Sequence, residues 1–166
     1  MFRFEYAVQT KASPKQAWQV FSDCRRWNHF ADIYGRIRWY EGRAWKPGSR
    51  LEIEILRPVR TIVRHVITSC IPGKRVGWID HSLRVSIAQW VSFEQQPDGG
   101  THVRTWGDII HPGVEVAGLT MEHIVGSFTE TWYENFRATC DKVAEAAQAG
   151  LPCRRILGPA PYSLGW

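Results

Sequence analysis

The sequence lacks the cysteine patterns that mark metal sites and disulfide-stapled domains. Its four cysteines are scattered, with no CxxC pair and no histidine at metal-ligand spacing from any of them. No HxH or HExxH motif occurs either, so we expect no metal site. The absence of a disulfide framework fits a protein of the reducing cytoplasm. The cysteines are Cys24, Cys70, Cys140 and Cys153.

Long apolar segments are also missing. The N-terminal residues MFRFEYAVQT carry charges at Arg3 and Glu5 and contain no apolar signal region. No run of about 18 apolar residues occurs, although a transmembrane helix requires one. We therefore expect a soluble cytoplasmic protein that is neither processed nor integral to a membrane.

Motifs for nucleotide binding and serine catalysis are absent, since the chain has no P-loop, GxGxxG or GxSxG sequence. The net charge is +5, but the basic residues are spread along the chain as pairs such as Arg25-Arg26 and Lys74-Arg75. A nucleic-acid groove usually shows clustered basic residues on one face. We therefore expect neither a cofactor nor a nucleic-acid partner.

Tryptophan, in contrast, is abundant, with nine in 166 residues. A chain of this length forms one domain with a real core. Tryptophan is large and has one N–H group to satisfy. A small domain with this many tryptophans fills wide spaces or presents flat apolar walls.

The first third of the chain predicts a strand and two short helices. Apolar and polar residues alternate over 2–10, which is typical of a half-buried strand. Ser13, Pro14 and Gln16 then form a capping-box pattern that predicts a helix from about residue 14. Apolar spacing over 23–32 predicts a second short helix.

The remainder predicts six more strands and one long helix. Turn signals separate strand-like runs at 34–40, 49–56, 59–71, 75–81, 85–95 and 101–110. An apolar stripe at spacings of three and four predicts a helix from about Leu119 to Ala149, ended by Gly150 and Pro152. We therefore predict one domain over 1–149 and an irregular tail over 150–166.

Four local sequences carry a resemblance to a known superfamily. They are ASPKQAWQVFSD, IPGKRVGW, FEQQPDGGTHV and FRATCDKVAEAA. With the order of elements, they make residues 2–148 similar to the START-like (SRPBCC) helix-grip superfamily, which includes polyketide cyclases and lipid-transfer domains. The resemblance implies an α+β fold in which a curved seven-stranded antiparallel sheet surrounds a long C-terminal helix and encloses a ligand cavity. A fold alone does not identify an activity.

Aromatic and amide side chains are the candidate ligand contacts in this cavity, because binding sites are mostly apolar and aromatic. Simple alternation of the last two strands would turn two of the tryptophans outward, where they would form an aromatic pair and suggest a homodimer contact. A bulge near Gly107 would reverse this locally. The candidates are Trp78, Gln89, Trp90, Trp106, Phe128 and Trp132.

Arg64 is the charged residue of greatest interest. The resemblance places it on the inner face of strand 59–71, where its guanidinium could hold a ligand oxygen. The opposite phase places Val63, His65 and Ile67 inside and leaves Arg64 in solvent. Both phases are open at this point, and we favour the first. The candidates for proton transfer, besides His65, are His123, Asp108 and Tyr133.

Three functions fit these observations. The first is a protein that binds a small hydrophobic, aromatic or polycyclic ligand. The second is an enzyme that resembles the superfamily's polyketide cyclases and catalyses aldol cyclisation and dehydration without a cofactor, with Arg64 as enolate stabiliser. The third is a protein-interaction module. We favour binding, because no decisive catalytic motif occurs.

Overall fold

A computed structural model describes residues 1–82, 85–111 and 113–152 of the chain. Its main element is a seven-stranded antiparallel sheet. The strands are β1 (Phe2–Thr10), β2 (Tyr34–Glu41), β3 (Arg50–Ile55), β4 (Thr61–Ile71), β5 (Arg75–Ser82), β6 (Val85–Gln95) and β7 (Thr101–Ile110). Their order in the sheet is β1-β7-β6-β5-β4-β3-β2, so that consecutive strands pair from β2 to β7 and β1 lies at the edge beside β7.

Two short helical segments connect β1 to β2, as predicted. Helix α1 (Pro14–Ser22) begins at the expected capping box, in which the Ser13 hydroxyl accepts the Gln16 N–H and the Gln16 side chain accepts the Ser13 N–H. The second segment is a 3₁₀ helix over Cys24–His29. It is tied to α1 because the Trp27 indole N–H donates to the Phe21 carbonyl at 2.8 Å.

The long helix α2 (Met121–Gln148) begins two residues later than the sequence predicts. The preceding residues form a small hairpin of β8 (Glu115–Val116) and β9 (Leu119–Thr120). Ala117 and Gly118, at its turn, both have positive φ angles of 53° and 77°. This backbone is typical of the tight turn that closes a two-residue hairpin. The Thr120 side chain then caps α2 by accepting the His123 N–H.

The second half of α2 is fixed to β1. One carboxylate oxygen of Asp141 accepts the Thr10 hydroxyl at 2.6 Å and the Lys11 backbone N–H at 2.8 Å. Phe136, Cys140 and Val143 lie fully buried beneath this attachment. None of the described helices is long and apolar enough to cross a membrane. The predicted tail falls outside the described residues from residue 153 onward.

The core is dominated by ring contacts around Phe21, a side chain that is 1% exposed. Its ring lies within about 6.3 Å, between centroids, of rings from α1, the 3₁₀ helix, the sheet and α2. Edge-to-face contacts join it to Phe93, Trp132 and Phe136. A second, smaller cluster contains Phe4, Val85, Ile109 and Met121.

Phe136 provides a test of how α2 is held. We expect Phe136→Ala to lower the free energy of unfolding by about 3–5 kcal/mol, because the ring is fully buried and its loss leaves a cavity. Urea unfolding followed by circular dichroism measures this change. Phe2→Ala is the matched control, since that ring is 40% exposed, and it should cost far less. Equal losses would contradict this description of the core.

Candidate functional site

A cavity of about 670 Å³ separates the inner face of the sheet from the first half of α2. Side chains of both core clusters line it, so it occupies the space between them. The lining also includes exposed side chains, which form the mouth of the cavity: Asn28, His29, Asp32, Arg57, Leu119 and His123.

The walls are mainly apolar and aromatic. Ile53, Val63 and Ile87 line the cavity from the sheet, and large aromatic rings form much of the remaining lining. The ring planes are inclined to one another, as between Trp27 and Trp132, whose planes meet at 88° with centroids 5.7 Å apart. These rings include Trp27, Tyr34, Trp78, Phe128 and Trp132.

Two buried ionisable side chains interrupt this apolar lining. His65 on β4 and Asp80 on β5 are directly opposite in the strand register, and both side chains point inward. Nδ1 of His65 contacts Oδ1 of Asp80, and the Trp78 indole N–H donates to Oδ2 of Asp80 at 3.3 Å. Burial lowers the pKa of the His65 imidazole, which keeps the ring neutral near pH 7.

A second set of polar side chains, Gln89 and Thr105, lies on β6 and β7. The Gln89 amide donates to the Thr105 hydroxyl at 2.9 Å, and that hydroxyl donates to the Trp90 carbonyl at 3.0 Å. Burial raises the pKa of Tyr133, and its interaction with Thr105 opposes that rise in part. Tyr133 is therefore a neutral phenol at physiological pH, able to donate or accept a hydrogen bond.

The structure overturns the predicted phase of β4. Arg64 lies on the outer face, exposed to solvent, and contacts Glu52 at 3.4 Å. The strand register shifts by one residue between Ile67 and Ser69. Cys70, on the hairpin side of this bulge, packs against the core as the resemblance implied. Beyond the bulge the alternation is reversed, so that Val63, His65 and Ile67 face inward.

Three further candidates also lie outside the cavity. Asp108 is on the outer face, where the Arg3 guanidinium binds its carboxylate at 2.9 Å and holds its pKa below the usual value. Trp90 and Trp106 are partners across β6 and β7, each with an arginine over its ring. No bulge reverses β7, since its burial alternates without interruption. The prediction that Asp108, Trp90 and Trp106 contact a ligand in the cavity was therefore wrong.

The other candidates do line the cavity. Trp78 and Gln89 face it from adjacent strands, and the side chains from α2 face it from the opposite side. Their roles as ligand contacts remain predictions. Asp80 was not among the residues predicted from the sequence. Its pairing with His65 could have indicated it, because an inward His65 places its partner Asp80 on the same inner face. The side chains from α2 are His123, Phe128, Trp132 and Tyr133.

No described group of three or more histidine, cysteine or acidic side chains could hold a metal ion. Within this mainly apolar space, the lining side chains that can form hydrogen bonds include His65, Asp80, Gln89 and Tyr133.

The buried imidazole makes stability depend on pH. The unfolded chain binds a proton on His65 at a higher pH than the folded protein does. The contribution of the neutral imidazole to stability is therefore complete above about pH 6.5 and is lost as pH falls. We expect wild-type protein to lose about 1 kcal/mol more unfolding free energy than His65→Asn between about pH 6.5 and 5.5. Urea unfolding at both pH values measures this difference.

The control for this measurement is His29→Asn, which replaces an exposed histidine at the mouth. It should keep the pH dependence of the wild type. Identical pH dependence in wild type and His65→Asn would show that His65 is not held neutral by burial.

Comparisons with known proteins identify the architecture. No family model and no curated protein matches the chain. The fold is similar to a START superfamily protein from Mycobacterium smegmatis, with a TM-score of 0.63 and 10% identity, covering 87% of this chain and 98% of that one. It is also similar to Ara h 8.0201, with a TM-score of 0.67 and 11% identity over 84% and 97% of the two chains.

A protein from Chromobacterium violaceum gives a TM-score of 0.65 at 10% identity, covering 85% of this chain and 99% of that chain. At these identities the similarity extends to the fold alone. The α+β architecture predicted from the sequence is confirmed, with a seven-stranded antiparallel sheet and a long C-terminal helix. The chain therefore has the START-like helix-grip fold.

Proposed function

We propose that this protein binds a small, largely apolar and planar organic molecule between the sheet and α2. The observation that supports this proposal is the cavity of about 670 Å³. Sites for small organic ligands occupy roughly 300–1,000 Å³ and are lined mainly by apolar and aromatic side chains with a few polar groups. This cavity has both properties.

The shape of the rings favours a flat ligand. Trp78 and Trp132 face the cavity from the sheet and from α2, and Tyr34 and Phe128 contact each other edge to face at 6.1 Å. Aromatic surfaces bind planar molecules through stacked and edge-to-face contacts. A planar ligand can make such contacts on several sides, whereas a flexible chain loses more conformational freedom when it is bound.

The second candidate function is a cofactor-free enzyme of the cyclase and dehydratase type. The observation that favours it is the His65–Asp80 pair, because a neutral imidazole held by a carboxylate can accept a proton from a substrate. Tyr133 could serve as a proton donor to a developing oxyanion. Arg64 and Asp108 have no role in this proposed enzyme, since both lie on the outer face of the sheet.

Filling the cavity tests the proposed binding. Val63 lines the cavity and Ile62, next to it on β4, lies on the outer face with 42% exposure. We expect Val63→Phe to weaken binding of 2-methoxynaphthalene and 1-methoxypyrene at least about tenfold, because the added ring takes ligand space, whereas Ile62→Phe should leave affinity unchanged. Isothermal titration calorimetry measures both.

Near-ultraviolet circular dichroism would confirm that both variants keep their tertiary structure. An equal loss in the two variants, or none in either, would place the ligand elsewhere on the protein. Native mass spectrometry of protein from its own host provides an independent readout, because a retained small molecule should be lost from Val63→Phe and kept by Ile62→Phe.

A further inference from the structure

We propose that the His65–Asp80 pair recognises a weakly acidic hydroxyl group on the ligand, so that the cavity selects phenols and enols over their ethers. This inference rests on the proposed function and specifies the chemical class of the ligand. It depends on three features of the pair: its burial, the hydrogen-bond partners of each atom, and its position in the cavity lining.

Both side chains are held rigidly within the apolar lining. His65 is 9% exposed and Asp80 is 8% exposed. The imidazole lies between two indole rings, with centroid distances of 5.4 Å to Trp78 and 6.4 Å to Trp27. These ring contacts and the contact with Asp80 restrict the orientation of the imidazole. Its free edge therefore has a fixed direction, as a specific binding site requires.

The contacts within the pair leave one atom available. Oδ1 of Asp80 contacts Nδ1 of His65, and Oδ2 of Asp80 accepts the indole N–H of Trp78. An imidazole beside a carboxylate carries its proton on the nitrogen that faces the carboxylate. The other nitrogen, Nε2, then has a lone pair, and it has no hydrogen-bond partner among the described residues. Nε2 of His65 is therefore a hydrogen-bond acceptor without a donor among the described residues.

This acceptor distinguishes between classes of ligand. A phenol or enol donates its O–H, and the carboxylate behind the imidazole strengthens the acceptor. An ether of the same shape has no proton to donate and leaves Nε2 unsatisfied in an apolar space. A carboxylate ligand would be repelled by Asp80 and would lose its hydration on entry. A neutral, weakly acidic hydroxyl is the group that meets all these conditions.

Asp80 determines which kind of group is accepted. In Asp80→Asn the amide oxygen would still accept the Trp78 N–H, which turns the amide NH₂ towards Nδ1 of His65. Nδ1 must then act as an acceptor, and the proton moves to Nε2. The site would change from an acceptor to a donor without any change in its shape.

Matched pairs of probes test this proposal by calorimetric titration. They are 2-naphthol with 2-methoxynaphthalene and 1-hydroxypyrene with 1-methoxypyrene, with 2-naphthoate as the anionic probe. We expect the wild type to bind each hydroxyl compound at least about tenfold more tightly than its ether, since a buried polar group is left unpaired by the ether. It should bind 2-naphthoate more weakly than either naphthalene compound.

Three variants complete the experiment. His65→Phe keeps an aromatic ring but removes the acceptor, so its preference for hydroxyl over ether should fall to about one. Asp80→Asn should lose the preference as well, with the ethers bound no more weakly than in the wild type. Arg64→Ala, which changes the neighbouring residue on the outer face, is the matched control and should keep the wild-type ratio.

The outcomes separate this inference from the proposed function. Equal affinity of wild type for hydroxyl compounds and ethers would overturn the inference and leave the proposed function intact. An unchanged preference in both His65→Phe and Asp80→Asn would also overturn it. If none of the five probes binds, both proposals fail. If His65→Phe does not fold, the ratio measured in Asp80→Asn decides the question.

Discussion

One extra residue in β4 determines what the cavity contains. The register shifts between Ile67 and Ser69, with the extra residue at Thr68. Because of this shift, Cys70 after the bulge and His65 before it both lie on the inner face of the sheet. Without it, strict alternation would turn Arg64 inward and His65 outward. A bulge costs a local ladder hydrogen bond and increases the twist of the strand. Here it also replaces a cation in an apolar cavity by a neutral imidazole.

The cavity exists because the two halves of α2 are held differently. The second half is attached to β1 through Asp141 and packs Phe136 into the aromatic core. The first half contacts the smaller cluster through Met121, near the other end of β1, where Phe4 lies. Large rings such as Trp132 lie between these two attachments. A ring of that size keeps helix and sheet apart, and inclined rings cannot fill the remaining space with one another.

Much of the fold could be predicted from the sequence, because local patterns determine it. The capping box at Ser13 predicted the start of α1, and alternation together with turn signals located all seven strands of the main sheet. The phase of β4 could not be read in this way. The bulge near Thr68 has no glycine or proline to mark it, and its effect depends on pairing with β5. Asp80 was missed for the same reason, since its position in the cavity follows from the register.

The distribution of charge gives the buried pair its significance. The outer face of the sheet carries exposed ion pairs, and such pairs contribute little to stability because water screens them. A buried carboxylate beside a neutral imidazole loses its hydration without gaining a partner of opposite charge, which costs stability. The His65–Asp80 pair is therefore poorly explained by stability alone. Its place in the lining of an otherwise apolar cavity supports the proposed contact with a ligand. The outer pairs include Arg3–Asp108, Arg60–Glu54, Arg64–Glu52 and Arg104–Glu5.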